Sequence, residues 1–421
     1  MQDPRVSKGS FLSITLLILS GEFVYMLPYV LARVFRPTFL EVFDLTNFEL
    51  GSLFSVYGVV ALLSYLYGGV LADQFLPRKL IALSLFLTAI GGLVMATYPS
   101  YLTLQILFGY WGFTTVFLFW GAMIKATRLW GGTMSQGQAF GFLDAGRGLV
   151  AASMGSVGVF IFSLILTSDI RSATLIERQE AFRYVIYFTS FMVALVGLLV
   201  FVYMKSEGEE KIKEMTSTSS FSNIKSVIKI PSVWLLMIII MSAYVGYKLT
   251  DIYSLYASDV MLYDQIQAAE VGALQLYLRP IVCVIIGFLA DKTSGTSWII
   301  IGFVIMLLGA VIFASGIVQS NMDAVFFISL IIIAVGTYAA RALYFAVFQE
   351  GKIPLAHMGT AVGIISVVGY TPDVFASPIM GYLLDTYPGI TGHQYVFSML
   401  VVFSILGLLA SIRFAKLVKT R

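Results

Sequence analysis

Twelve stretches of the chain are apolar over spanning length. They lie at 11–40, 51–72, 78–98, 101–130, 137–167, 181–204, 232–260, 268–290, 296–318, 323–349, 355–385 and 393–416, with polar or turn-forming clusters between them. About 20 apolar residues carry a helix across a bilayer, and each stretch meets that length with some tilt. In hydrocarbon a backbone must satisfy its own hydrogen bonds, which leaves helices or closed barrels. The alternation of barrel strands is absent, so the pattern predicts an all-α membrane protein of twelve transmembrane helices. The first stretch follows a short polar segment, Met1 to Ser10. It is longer than a signal-peptide core and lacks a small-residue cleavage site, so it reads as a span.

One long polar interruption, 205–231, separates six spans (1–204) from six (232–421). Its charged first part and its Thr216-Ser-Thr-Ser-Ser-Phe-Ser222 run read as a solvated linker. A regulatory or lipid-binding basic segment is the other reading. The two sides repeat each other. Gly69-Val-Leu-Ala-Asp73 returns as Gly287-Phe-Leu-Ala-Asp291, and Gly137-Gln-Ala-Phe-Gly141 returns as Gly359-Thr-Ala-Val-Gly363. The two offsets are nearly equal, and two matches at nearly one period predict two pseudo-symmetric six-helix bundles.

Composition narrows the chemistry. Of 421 residues 59% are hydrophobic and 12% charged, against about 25% charged in soluble domains. The single cysteine, Cys283, rules out an internal disulfide and a cysteine metal site, and two histidines, His357 and His393, leave no imidazole cluster. No phosphate-loop motif is present, so the chain is expected to be neither an ATP-driven pump nor an enzyme, with no cofactor. Nucleic acid is not an expected partner; membrane lipids are. Basic residues set the orientation. Arg78-Lys79, Arg128, Lys292, Lys352, the linker lysines and the tail Arg413, Lys416, Lys419 and Arg421 crowd one side. The opposite connections carry Glu41, Asp44, Glu49, Asp259, Asp264 and Glu270. Both termini are then cytoplasmic, although the 5–6 connection, with Arg171, Arg178 and Arg183, runs against the pattern. The expected setting is a cell membrane of the bacterial inner-membrane kind, spanned many times by a monomer.

Within the apolar stretches ten ionisable residues are expected to sit below the membrane interface: Glu22, Arg33, Lys125, Asp144, Arg147, Lys248, Asp251, Arg279, Arg341 and Asp373. A charge at membrane depth usually faces the bundle interior and marks a site, and the basic surplus should attract an anion. Arg33 and Lys248, in the first and seventh stretches, are separated by close to the repeat period and stand near equivalent places of the two halves. At such a repeat interface transporters bind substrate, and two cations there would clamp an anion, the guanidinium by a two-pronged grip. Tyr29 and Tyr247 are close enough in sequence to add hydroxyl donors. Lys248 could equally be neutralised by Asp251 at i, i+3. Asp144 and Arg147 have the same spacing and could form a structural pair. Lys125, Arg279 and Arg341 are further candidates for lining the cavity. Asp373, after Thr371-Pro372, and Glu22, with Asp144 and Asp251, are candidates for proton coupling, since a poorly solvated carboxylate can hold a proton near neutral pH.

The 6+6 arrangement and the Gly-x-Leu-Ala-Asp elements resemble the major facilitator superfamily over essentially the whole chain. In that family Gly69, Asp73, Arg78 and Asp291 would belong to a cytoplasmic gating motif. Asp73-Gln-Phe-Leu-Pro77-Arg78 departs from its general form and is similar to that of the organophosphate:phosphate antiporters. Tyr29-Val-Leu-Ala-Arg33 also resembles that branch, whose arginine binds substrate phosphate. Lys248 stands where those antiporters have a second arginine, and Arg147 falls near their substrate-contacting histidine. Tyr65 replaces a site lysine. The resemblance implies a secondary active transporter moving a small organic anion by alternating access, in exchange for phosphate or with a proton. The alternative is a proton-coupled symporter or efflux transporter for a neutral or cationic small solute.

Overall fold

A computed structural model describes residues 11–131, 136–166, 173–204, 227–344, 347, 350–351 and 358–419. Most of the 205–231 linker lies outside the described residues, as do the surroundings of Gly69 and the side chains of Asp73 and Asp291.

The described chain is helical. We label the spans α1 (Phe11–Val34), α2 (Asn47–Gln74), α3 (Pro77–Met95), α4 (Tyr101–Thr127), α5 (Gln136–Ile165), α6 (Leu175–Tyr203), α7 (Pro231–Asp259), α8 (Gln265–Lys292), α9 (Gly295–Ala314), α10 (Asp323–Leu343), α11 (Met358–Gly369 with Pro372–Thr386) and α12 (Ile390–Lys419). Eleven of these are long and apolar enough to cross a membrane by themselves. The exception is α11, broken at Tyr370 and Thr371 into pieces of 12 and 15 residues. The break coincides with Pro372, which has no N–H to give to the carbonyl four residues earlier, while Thr371 before it keeps helical dihedral angles (φ −56°, ψ −25°).

The chain forms two compact units. The first holds residues 1–45 and 56–217, the second residues 46–55 and 218–421. Within each, the same spans pack together: α3 on α6, α1 on α5 and α6, α4 on α3 in the first; α9 on α12, α7 on α11 and α12, α10 on α9 in the second.

The repeat is written into backbone details. The turns before α2 and α8 place Asp44 (φ 51°) and Leu262 (φ 59°) in the left-handed region. The turns before α4 and α10 place Tyr98 (φ 53°) and Gly316 (φ 74°) there. Both pairs have the same separation as Asp73 and Asp291 of the repeated motif. Helices α2 and α8 also start alike. Thr46 and Glu49 exchange bonds (Glu49 N–H to Thr46 Oγ1, 3.1 Å; Thr46 N–H to Glu49 Oε2, 2.8 Å), and Asp264 and Gln267 do so at the matching positions of the second half. Each exchange satisfies helix N–H groups that have no partner along the helix.

Besides α11, three spans are interrupted. α1 passes through a π turn at Met26–Val30, then Leu31–Val34, and breaks at Phe35 before a short helix, Arg36–Val42. α4 has a π turn at Phe113–Leu118, and α7 a 3-10 turn at Thr250–Ile252. Such irregular turns are costly and concentrate at functional positions. The break at Phe35 and the start of the 3-10 turn each come two residues after a buried cation, Arg33 and Lys248.

Candidate functional site

Each unit holds its own cluster of buried charge. In the first unit, Arg33 and Arg36 lie on either side of the break in α1, 2% and 1% exposed. Arg36 immediately precedes Pro37 in a sequence that reads as the end of a span, so sequence reasoning passes over it. The only signal for it is its i, i+3 spacing from Arg33. Tyr29, on the π turn, stacks edge-on against Tyr57, 4.8 Å between ring centres. Tyr57 bonds Thr115 on the π turn of α4, and Thr115 donates to the Trp111 carbonyl at 2.7 Å. Ser84 donates to the Thr114 carbonyl at 2.7 Å, and the Thr88 and Thr114 hydroxyls lie 2.9 Å apart. Side chains thus support the irregular backbone of α4, as an interrupted helix in an apolar setting requires.

Deeper along α1, Glu22 is buried and accepts from Arg147 Nε of α5 at 3.2 Å. Asp144, one turn back from Arg147, is 3.9 Å from it and partly exposed, so Glu22 is the nearer partner. The Arg147 guanidinium also lies over the Tyr25 ring, 5.6 Å from its centre, an arrangement that favours a cation. Lys125 is half-buried and donates to the Ala72 carbonyl at 2.8 Å. An ammonium near the end of α2 complements the helix dipole, a structural use of Lys125.

In the second unit the centre is Lys248. Its ammonium is 3.3 Å from Asp251 and 3.5 Å from Asp373, across from α7 to α11. It also lies 4.9 Å from the centre of the Phe54 ring. Tyr244 donates to both Asp373 oxygens at 3.0 and 3.1 Å. The break in α11 is what positions Asp373, in the first turn of Pro372–Thr386. Around this group stand Tyr247 under Arg341 of α10 (3.6 Å to the ring centre), Tyr370 against Tyr244, and Tyr344 with its hydroxyl 3.3 Å from that of Tyr370. The sequence offers Lys248–Asp251 by spacing alone. Asp373 joins them from a span far along the chain, and Tyr244 binds Asp373 from one helical turn before Lys248. Counted by the register of the flanking turns, the repeat counterpart of Arg33 is Asp251, and Lys248 comes one helical turn earlier. The expected equivalence of the two cations is therefore displaced by a turn.

Arg279 is 1% exposed and lies at the middle of α8, just before Pro280. Arg78 opens α3 and is half-buried. An open depression of about 560 Å³ in the second unit is lined in part by Asp259 and Asp385. Both are engaged: Asp259 lies 3.1 Å from His393 Nε2, and Asp385 accepts from the Asn47 and Phe48 N–H groups at 3.0 and 2.7 Å. Among the described residues no cluster of histidine, cysteine, aspartate and glutamate has a metal-holding arrangement.

Residues 18–377 match the model of the Major Facilitator Superfamily. The chain belongs to that superfamily. It is therefore a membrane transporter rather than an enzyme, with small molecules as its substrates. Inner membrane protein YqcE of Escherichia coli (strain K12) is 27% identical over 398 residues, 92% of this chain and 91% of that protein. Inner membrane protein YihN of the same strain is 26% identical over 427 residues, 99% and 98% of the two chains. Among solved structures, a bacterial homolog of the human lysosomal transporter Spinster, inward-facing and unoccupied, matches with a TM-score of 0.71 at 17% identity, over 97% of this chain and 99% of that one. The nucleoside transporter NupG matches with a TM-score of 0.68 at 15% identity, over 97% and 99%. At these identities the structural matches speak for the superfamily fold alone.

Proposed function

We propose that the chain is a secondary active transporter of small organic anions, bearing phosphate, sulfonate or carboxylate, which works by alternating access. The supporting observation is buried charge. Among the described residues, Arg33, Arg36, Arg147, Lys248 and Arg279 are buried, against Glu22, Asp251 and Asp373. Arginine does not shed its proton, and ionisable side chains held at membrane depth usually mark a site. Among the described residues the surplus belongs to the first unit, with three buried arginines and one buried carboxylate. Arg33 is then the principal anion ligand, with Tyr29 beside it. Lys248, Tyr247, Arg147, Arg279, Arg341 and Lys125 are the further candidate substrate-binding residues.

In this reading Asp373, held between Lys248 and Tyr244, is the carboxylate best placed to couple transport to protons, with Asp251, Glu22 and Asp144 behind it. Exchange for phosphate is the other mode. Gly69, Asp73, Arg78 and Asp291 form the gating element on the cytoplasmic side, and 205–231 joins the halves 1–204 and 232–421. The named relatives suggest an inner-membrane location, with both termini cytoplasmic and the monomer as the working unit.

The test is a thermal-shift screen of the purified protein against phosphates, sulfonates, carboxylates, free sugars and organic cations. A ligand that binds only the folded state raises its melting temperature. Shifts by anions that vanish in Arg33→Ala support the reading. Shifts by neutral or cationic solutes alone overturn it in favour of a proton-coupled carrier for such solutes.

A further inference from the structure

The last turns of α7 are a separate piece. After the 3-10 turn at Thr250–Ile252 the helix resumes only as Tyr253–Asp259. An aromatic cluster seats this piece within the second unit. The Tyr256 ring stacks on Phe326 of α10, 5.7 Å between centres, and meets Phe313 of α9 and Phe397 of α12 edge-on. Its hydroxyl donates to the Val318 carbonyl at 2.9 Å. The same ring meets the His393 imidazole edge-on at 5.0 Å. His393, in the first turn of α12, is 0% exposed, and its Nε2 lies 3.1 Å from Asp259, the final residue of the α7 piece. Close packing of the preceding Gly392, where a Cβ would come within 2.3 Å of the Tyr387 carbonyl, fixes the start of α12. Asp259 is 36% exposed at the edge of the open depression, so protons from water reach the pair.

Charge at this end of the unit is one-sided. Residues 46–55, 252–278, 299–340 and 353–412 contain no lysine or arginine. The carboxylates here are Glu49, Asp259, Asp264, Glu270, Asp323 and Asp385. Glu49 and Asp264 bond N–H groups at the starts of their own helices, Tyr263 donates to Asp323, and Asp385 accepts from Asn47 and Phe48. Glu270 is exposed, as are the phenols Tyr387 and Tyr395, whereas Tyr253 and Tyr256 are buried. Asp259 instead meets an imidazole, a group whose ordinary pKa of about 6.5 brings its charge change between about pH 5 and 8. Among the described residues at this end of the second unit, His393 is the one side chain that can turn cationic in that range. With a neutral ring the pair is an ordinary hydrogen bond. A proton gained by the ring makes it a charge-assisted one, shorter and about twice as strong. The conformation that keeps the pair together therefore gains from acidification, until Asp259 itself is protonated.

We propose that His393 and Asp259 form a proton-operated clasp: a protonated imidazole locks Tyr253–Asp259 onto α12, and loss of that proton frees the piece to turn about Thr250–Ile252. The turn contains Asp251, which lies 3.3 Å from the Lys248 ammonium. Asp251 and Asp259 are eight residues apart, about 12 Å of helix. The clasp thus makes the charge cluster at Lys248 responsive to the pH at the depression. It stands independently of the anion reading, because no solute takes part in it.

Hydrogen exchange of the purified, solute-free full chain reads the opening of such a piece. Protection of the 253–259 amides, each rate divided by its intrinsic rate at that pH, should rise about threefold or more from about pH 8 to about pH 6. His393→Gln keeps a neutral donor towards Asp259 but cannot gain charge, so its protection should be the same at both pH values. Asp259→Asn, at a partly exposed position, removes the charge from the other side and should lose the response as well. Protection in the native chain that does not change with pH overturns the clasp, as does a response that survives in either variant. Protection lowered equally at both pH values, with the response kept, would mark a structural hydrogen bond only and overturns it too. The 249–252 amides should follow the same course as 253–259. If they do not move with pH, the link from the clasp to Lys248 is overturned.

Discussion

Replacing Glu22 by alanine removes the carboxylate that Arg147 Nε meets at 3.2 Å, with side chains only 3% and 10% exposed. At that distance and an effective dielectric of about 20, the gross attraction is about 5 kcal/mol. Part of it offsets the desolvation of both groups, but removing one partner leaves a buried charge behind, which typically costs about 3–5 kcal/mol. Asp144 at 3.9 Å can take up some of the loss, although its 36% exposure weakens the interaction. The expected cost of Glu22→Ala is therefore near the lower end, about 3 kcal/mol. Arg147→Ala should cost a similar amount. The double variant removes both charges and should be no worse than either single one, so the coupling between the two sites is about 3 kcal/mol. For units of this size each kcal/mol moves a melting temperature by about 2–4 °C. Thermal unfolding of the four proteins in detergent gives the cycle directly. Costs that add to within about 0.5 kcal/mol, as for independent sites, would refute the pairing.

Other outcomes follow from the same geometry. Asp385→Ala should cost about 1–2 kcal/mol, in the range of lost helix caps, because Asp385 accepts from Asn47 and Phe48 at the start of α2. Asp385→Asn should recover part of the melting temperature. Gly336→Leu should abolish folded expression, since even a Cβ at Gly336 would come within 2.7 Å of the Gly302 carbonyl on α9, and a packed helix contact has no room for it. If uptake is proton-coupled, Asp373→Asn should lose its response to an imposed pH gradient while still binding substrate. A wild type indifferent to the gradient would point to exchange.

Length and hydropathy made the spans legible, because a helix in hydrocarbon has to be apolar over its whole length. The break in α11 was legible too, since Pro372 has no N–H with which to continue the helix from the turn before it. The repeat showed in two short motifs, but its register needed the left-handed residues of the turns, which the sequence does not mark when they are Asp, Tyr or Leu. The candidate site was legible only where partners are local. Lys248 and Asp251 share a helix, one turn apart. The bonds of Asp373 to Lys248 and Tyr244, and of Glu22 to Arg147, join distant spans and depend on how the helices pack, which periodicity does not encode. Arg36 stayed hidden because a basic residue beside a proline looks like the end of a helix.

The central claim is that the buried surplus of cations serves an anionic substrate. Its most direct test is uptake into proteoliposomes loaded with phosphate, measured for a panel of labelled organic anions, neutral sugars and organic cations. The account predicts uptake of at least one organic anion, lost in Arg33→Ala protein that still folds and inserts. Uptake confined to neutral or cationic solutes, or anion uptake indifferent to Arg33→Ala, would contradict it.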